Sequence, residues 1–245
     1  MCIFVSYEFE AIKKAATLSQ EIRDRIEQAI LEKKFLPGEK LPTEHELCEM
    51  FGVSRTALRE ALQMLGAKGL ISVKKGSGIY VEDYSPQNVI KPMRLYLELN
   101  FDKNYILHLI EVRKIIEPQI CKMAARNRSE EDVQKLERNL RKFKTSEPTN
   151  FREEGVLDRE FHLIIAQASN NPIIPIIVDP IFQLMPKIRT LVYAQIDKAK
   201  SAAFEYHDLI FKSIKEKDEE KAYHYMVEHL RIAEEHSRMI IKKIN

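Results

Sequence analysis

LPGEKLPTEHELCEMFGVSRTALREALQMLGAKGLISVKKGSGIYV, residues 36–81, carries two helical patterns, a tight turn between them and a basic hairpin after them. Pro37 and Gly38 are turn formers, one presetting φ and the other free to take φ > 0. Thr43 and Glu46 have capping-box spacing, so a helix opens there and should run to about Met50. Gly52 in Phe51-Gly52-Val53 suits a left-handed C-cap, and Ser54 suits the next N-cap. The helix that follows carries Leu58, Ala61, Leu62 and Leu65 on one side. Gly66 and Gly69 are expected to end it. Ile71-Ser72-Val73 and Ile79-Tyr80-Val81 alternate as strands do, around Lys74-Lys75-Gly76-Ser77-Gly78.

That order is the plan of a winged helix-turn-helix, which lays its second helix in the DNA major groove. Ser54, Arg55, Thr56 and Arg59 fall on the outward, N-terminal side of that helix. Arg can take guanine bidentately or a phosphate, and Ser and Thr can bond phosphates or base edges. Lys74, Lys75 and the bare backbone at Gly76 suit phosphate or minor-groove contact. A helical hairpin with a solvated charged loop would share part of this pattern. The caps, the Arg-rich helix start and the basic glycine wing together favour the DNA reading.

Charge agrees with it. The whole chain of 245 residues has a formal net charge of +2. Yet Phe51–Val81 holds Arg55, Arg59, Lys68, Lys74 and Lys75 against Glu60 alone, a local footprint rather than a general affinity for polyanions. Cys2, Cys48 and Cys121 are odd in number and widely spaced, which argues against a disulfide framework and fits a reducing, cytoplasmic setting. The start, MCIFVSYEFE, lacks signal-peptide character, and no stretch approaches the ~20 apolar residues of a membrane span.

Glycine divides the chain. Six of seven glycines lie at or before Gly78, and only Gly155 lies beyond. A long region so poor in tight-turn residues reads as helical. The expected fold is therefore mainly α, a winged helix-turn-helix followed by an all-α antiparallel bundle. The expected domains are an N-terminal extension (1–18), the DNA-reading head (19–82), a linker (83–88) and the bundle (89–245). Ser19 is the expected cap of a first helix carrying Ile22, Ile26, Ala29 and Ile30 and ending near Lys34. Beyond the linker the pattern gives helices over about 87–99, 102–127, 129–144, 150–169, 172–195, 197–217 and 218–243. Ser129 with Asp132 repeats the capping-box signal. Pro118 should kink the second of these, Pro175, Pro180 and Pro186 should break up the fifth, and Asn171 should cap a helix.

The segments LPGEKLPTEHEL, FGVSRTALREAL and GLISVKKGSGIYV resemble the DNA-binding domain of the GntR family of bacterial regulators. That resemblance adds Thr43, Glu44 and His45 to the expected DNA contacts. Family members often carry Arg where this chain has His45, so a contact there would be weaker or titratable near neutral pH.

The helical region holds a second constellation. Asp158 and His162 are four residues apart and share one helix face. His207 and His229 lie on two later helices. Imidazoles and a carboxylate suit a borderline divalent ion, and ligands from three helices of a bundle would converge on its interior. On the residues alone, ordinary solvated or backbone-bonded histidines remain an alternative. EVRKIIEPQICKMAARN (111–127), DREFHLIIAQASNNP (158–172), YHDLIFKSI (206–214) and MVEHL (226–230) are similar to the FCD ligand-binding domain of the FadR subfamily. The resemblance implies one divalent ion, Zn or Ni first and Mn or Fe next, held by Asp158, His162, His207 and His229. It argues against a fatty-acyl-CoA ligand, because the branch that senses those lacks this set. Arg113 could anchor an effector carboxylate bidentately or pair with a neighbouring Glu, and Arg189 and Tyr193 are pocket candidates of the same kind. His108, His224 and His236 have no expected role.

The expected function is a sequence-specific transcriptional repressor, not an enzyme. It would be a homodimer on a palindromic double-stranded operator, controlled by a small carboxylate effector at the metal site. A metal-dependent hydrolase fused to a DNA-binding head is the alternative. It would need a general base near the metal, for which Glu160 and Glu205 are the sequence neighbours. A third reading makes the metal purely structural, or absent.

Overall fold

The computed structural model describes residues 17–147, 150–196 and 198–244, and the expected extension falls outside these up to position 16. The chain divides between Asn88 and Val89 into two compact units.

The first unit opens with α1 (Leu18–Leu31). Its cap is Thr17, in a capping box with Gln20, and not Ser19, which lies buried inside the first turn. Thr17 wins because the box satisfies two orphan backbone groups at once. The helix ends three residues before Lys34. Next come α2 (Glu44–Phe51) and α3 (Arg55–Ala67). Thr43 and Glu46 form the expected box, Gly52 takes φ +65° at the C-cap, and Ser54 accepts from the Ala57 N–H. Gly66 does not end α3 but sits within it, and the stop comes at Gly69 with φ +75°. β1 (Ile71–Lys74) and β2 (Gly78–Val81) pair antiparallel, Ile71 opposite Val81. Residues Gly38–Leu41 run along the free edge of β2, with Leu41 N–H donating to Ile79 O at 2.8 Å. Ile22, Ile26, Leu47, Leu58, Leu62, Leu65, Ile71, Ile79 and Val81 form one core. Burying each removes about 1.5–3 kcal/mol of hydrophobic exposure cost.

The second unit is helical: α4 (Gln87–Leu99), α5 (Lys103–Asn127), α6 (Glu130–Thr145), α7 (Phe151–Ala168), α8 (Ile173–Phe182), α9 (Met185–Gln195), α10 (Ala199–Lys215) and α11 (Glu219–Ile244). Gln87 and Asn88, expected in the linker, are the first residues of α4. The expected fifth segment is two helices, parted at Gln183–Leu184 just ahead of Pro186. Pro118 lies within the bounds of one continuous α5. The N-cap of α8 is Pro172 and not Asn171, which stands one residue ahead of it with Oδ1 accepting from Ile173 N–H at 3.0 Å. α11 packs along α5, α7 against α9, and α10 against α11. Gly155 allows the second of these contacts, since a Cβ there would stand 2.9 Å from Pro186 O. That close approach sets α7 and α9 so that their charged residues meet.

Candidate DNA-reading face and candidate metal centre

In the first unit the start of α3 and the wing are both exposed. Ser54, Arg55, Thr56 and Arg59 stand in solvent, as do Lys74, Lys75 and Gly76. Arg55 forms no ion pair among the described residues. Arg59 Nε donates to Glu44 Oε2 at 2.9 Å, across from α3 to the first residue of α2. Glu44 is thus partner to an arginine of α3, a better role for a carboxylate than facing a phosphate. The Thr43 hydroxyl is already engaged, accepting from Glu46 N–H and donating to Glu46 Oε2. His45 is exposed and lies 3.7 Å from Glu49. One cleft of ≈ 570 Å³ brings Thr43 and Glu44 together with Lys74, Lys75, Gly76 and a further cation, Lys40. Lys40 was not among the expected residues. It reaches the wing because its strand-like segment pairs with β2 at Tyr80, and its Cε occupies the space where a Cβ on Gly78 would be.

The second unit draws Asp158, His162, His207 and His229 into one buried cluster, each offering a ligand atom within 4.8 Å of the others. None is more than 3% exposed. The ring centroids of His207 and His229 are 4.7 Å apart, and those of His162 and His229 5.1 Å. His207 Nε2 is buried without a hydrogen-bond partner. An orphaned ring nitrogen in a protein interior is costly unless something fills its lone pair or takes its proton. The donor set is the kind a first-row divalent ion accepts.

All three pocket candidates lie at this cluster. Arg189 Nε donates to Asp158 Oδ2 at 3.0 Å and its NH2 lies 3.5 Å from His229 Nε2. The Tyr193 hydroxyl donates to Asp158 Oδ1 at 3.1 Å. Of the two readings weighed for Arg113, the structure shows the pairing with a neighbouring Glu. It pairs with Glu117, and its NH2 lies 3.3 Å from His162 Nε2. Glu117, which sequence reasoning missed, is 2% exposed, with Oε2 2.6 Å from His162 Nδ1. Its signal was available: it stands four residues after Arg113 on the same helix face.

Burial opposes ionisation of Glu117, but Arg113 and His162 outweigh it and hold the carboxyl at about 2. Burial likewise works against Asp158, and Arg189 prevails, keeping it well below the usual carboxylate range. Burial pushes His207 and His229 well below the ordinary imidazole value, so both stay neutral. Neutral imidazoles beside ionised carboxylates are the protonation states that metal coordination needs. Glu160 and Glu205, the bases the hydrolase alternative required, are elsewhere. Glu160 lines a different cleft with Lys135 and Asn139, and Glu205 is exposed.

A winged helix-turn-helix head and a helical sensor-like bundle define a class, the two-domain DNA-binding regulators. Residues 18–81 match "Bacterial regulatory proteins, gntR family" and residues 108–232 match "FCD domain". The uncharacterized HTH-type transcriptional regulator YcbG of Bacillus subtilis (strain 168) is 30% identical over 220 residues, covering 88% of each chain. The Uxu operon transcriptional regulator of Escherichia coli (strain K12) is 38% identical over 162 residues, covering 62% of this chain and 58% of its own. The galactonate operon transcriptional repressor of the same strain is 27% identical over 197 residues, covering 79% and 85%. The solved structure of Streptococcus agalactiae GntR superposes with a TM-score of 0.69 at 28% identity, covering 89% of this chain and 99% of that one. The chain belongs to the GntR family of bacterial regulatory proteins, with an FCD domain as its C-terminal part. It is a DNA-binding transcriptional regulator and not an enzyme. No helix of the described residues is long and apolar enough to cross a membrane.

Proposed function

We propose that this regulator is a repressor of the FadR subfamily, acting in the cytoplasm, whose operator affinity is set by a small carboxylate bound at a divalent ion in the C-terminal unit. The observation that carries the reading is the convergence of one carboxylate and three imidazoles in a buried interior, with His207 Nε2 lacking a hydrogen-bond partner. Asp158, His162, His207 and His229 would hold the ion, with Zn or Ni best suited and Mn or Fe next. When bound, it supplies a Lewis-acid anchor for an anionic oxygen.

Charge supports an anionic effector. Arg113 pairs with Glu117, Arg189 with Asp158, and Lys200 with the buried Glu154 at 2.5 Å, so the chamber is balanced before any ion enters. Two further positive charges in a low-dielectric site call for negative ones. Arg113 and Arg189 would orient a carboxylate, and Tyr193 would add a hydroxyl donor. Coupling of ~1–3 kcal/mol between chamber and operator would suffice for regulation.

On the DNA side, Ser54, Arg55, Thr56 and Arg59 would read the major groove, with Lys74, Lys75, Gly76 and the neighbouring Lys40 on phosphates. Thr43 and Glu44 act by holding α2 and Arg59, and His45 is free to reach DNA. A palindromic operator calls for a symmetric reader. The unpartnered apolar side chains of α4 and α5, with Leu99 78% and Ile115 74% exposed, support a homodimer through the C-terminal unit.

The test combines metal analysis with operator binding. The purified protein should carry about one divalent ion per chain, and His207→Ala or His229→Ala should lose it. Small carboxylic acids should raise the melting temperature of the metal-loaded protein and weaken its operator binding. Full metal occupancy in both variants would overturn the metal site, and operator affinity indifferent to every acid that binds would overturn the sensing role.

A further inference from the structure

The buried cluster is walled on most sides by large side chains. Phe161 stacks on His207 with centroids 4.0 Å apart and 16° between the ring planes. Phe143 lies 5.8 Å from the same ring, and Phe182 5.9 Å from that of His162. Arg113, gripped by Glu117 and by Met185 Sδ at 3.0 Å, covers the remaining edge of His162.

One side is built differently. A narrow cleft between α9, α10 and α11 has Arg189 and His229 in its wall. Its other lining includes Ala202 and Ala203 of α10 and Ala233 of α11. Tyr206 and His236 line it too, both half-buried and so nearer solvent. Its free volume is ≈ 10 Å³, about the space of one water probe. Opening any phenylalanine-walled side means withdrawing a ring from a close-packed stack. Opening the alanine edge needs only a small shift of α10 or a turn of Tyr206, since alanines line much of it and its larger outer residues, Tyr206, Ile232 and His236, are only half-buried.

We propose that this alanine-edged cleft is the portal through which a divalent cation and a small anion reach the chamber, with Tyr206 and His236 at its mouth. The inference rests on the metal reading above. A portal lies on the path of exchange and not in the bound state. Narrowing it must therefore slow entry and exit by the same factor and leave the equilibrium unchanged.

Exchange of Zn²⁺ tests this with no effector required. Release into excess chelator and uptake from buffered Zn²⁺ are followed by stopped flow, and Kd is measured by competition. Ala202→Phe, at a half-buried position of the cleft lining and outside the proposed ligand set, should slow uptake and release at least tenfold with Kd within twofold. Tyr206→Ala should speed both, again with Kd held. Wild-type rates in a folded Ala202→Phe protein overturn the portal, as does a change in Kd carried by one rate alone. If Ala202→Phe does not fold, Tyr206→Ala decides by itself, and wild-type rates there overturn the portal. A wild-type chain that takes up no divalent ion removes the metal reading and the portal with it. That result is distinct from failure of the portal alone, in which the wild type binds and the variants exchange normally.

Discussion

In the first unit Arg55 and Arg59 leave the start of α3 for solvent, while in the second Arg113 and Arg189 are 1% and 3% exposed. The same guanidinium thus meets two environments. At the surface it is hydrated, screened and available, so its value lies in what it can bind. In the chamber its desolvation must be offset by a partner, so its value lies first in the pair it completes. Removing an arginine should therefore read out as lost binding in the head and as lost stability in the bundle.

The sharpest break of that comparison is Arg113→Ala. It strands the Glu117 carboxylate in the interior and should cost ~3–5 kcal/mol in denaturant unfolding. Replacing both partners, Arg113→Met with Glu117→Met, should recover much of that, because no uncompensated charge remains. An Arg113→Ala protein as stable as the parent would mean that water reaches the chamber freely. Arg55→Ala should do the opposite. Operator affinity falls by ~1–3 kcal/mol while the unfolding transition does not move. Unchanged operator binding would remove α3 as the recognition helix.

The same contrast explains what could be read before the structure. The head is specified by local rules. Thr43 with Glu46, Gly52 at φ +65° and Ser54 at its cap are each decided within a few residues, so spacing alone located them. Local rules failed where two signals compete nearby. Thr17 displaced Ser19 as the cap, and Gly66 was absorbed into α3 because the next glycine, at φ +75°, supplies the stop. Lys40 was illegible because only the pairing of its segment with β2 brings it to the wing. In the bundle, Asp158 and His162 show their shared face by spacing, but nothing local joins them to His207 and His229. Resemblance supplied that link, and packing of α7, α10 and α11 brings the four side chains within 4.8 Å of one another. Glu117 was illegible as a site residue because its spacing from Arg113 suggests an ion pair, while its burial against His162 is a tertiary fact.

Glu117 gives the next test. Its Oε2 lies 2.6 Å from His162 Nδ1, where it would orient that imidazole toward the proposed ion. Glu117→Gln should weaken divalent-ion affinity about 10–100-fold in chelator competition while retaining the helical content of the parent. Affinity equal to the parent would leave Glu117 as a partner of Arg113 and nothing more.

The smallest expected effect separates the two regions by salt. Contacts to DNA phosphates release counterions, so log operator affinity should fall linearly with log salt, by about 0.9 per phosphate neutralised. Lys75→Ala and Lys40→Ala should each flatten that line by about one contact, with uniform loss across DNA sequences. Divalent-ion affinity, by contrast, should barely respond to salt, since the cluster is no more than 3% exposed and buried charges are screened far less than surface ones. A salt-steep metal affinity together with a salt-flat operator affinity would reverse the assignment of surface and interior charge on which the comparison stands.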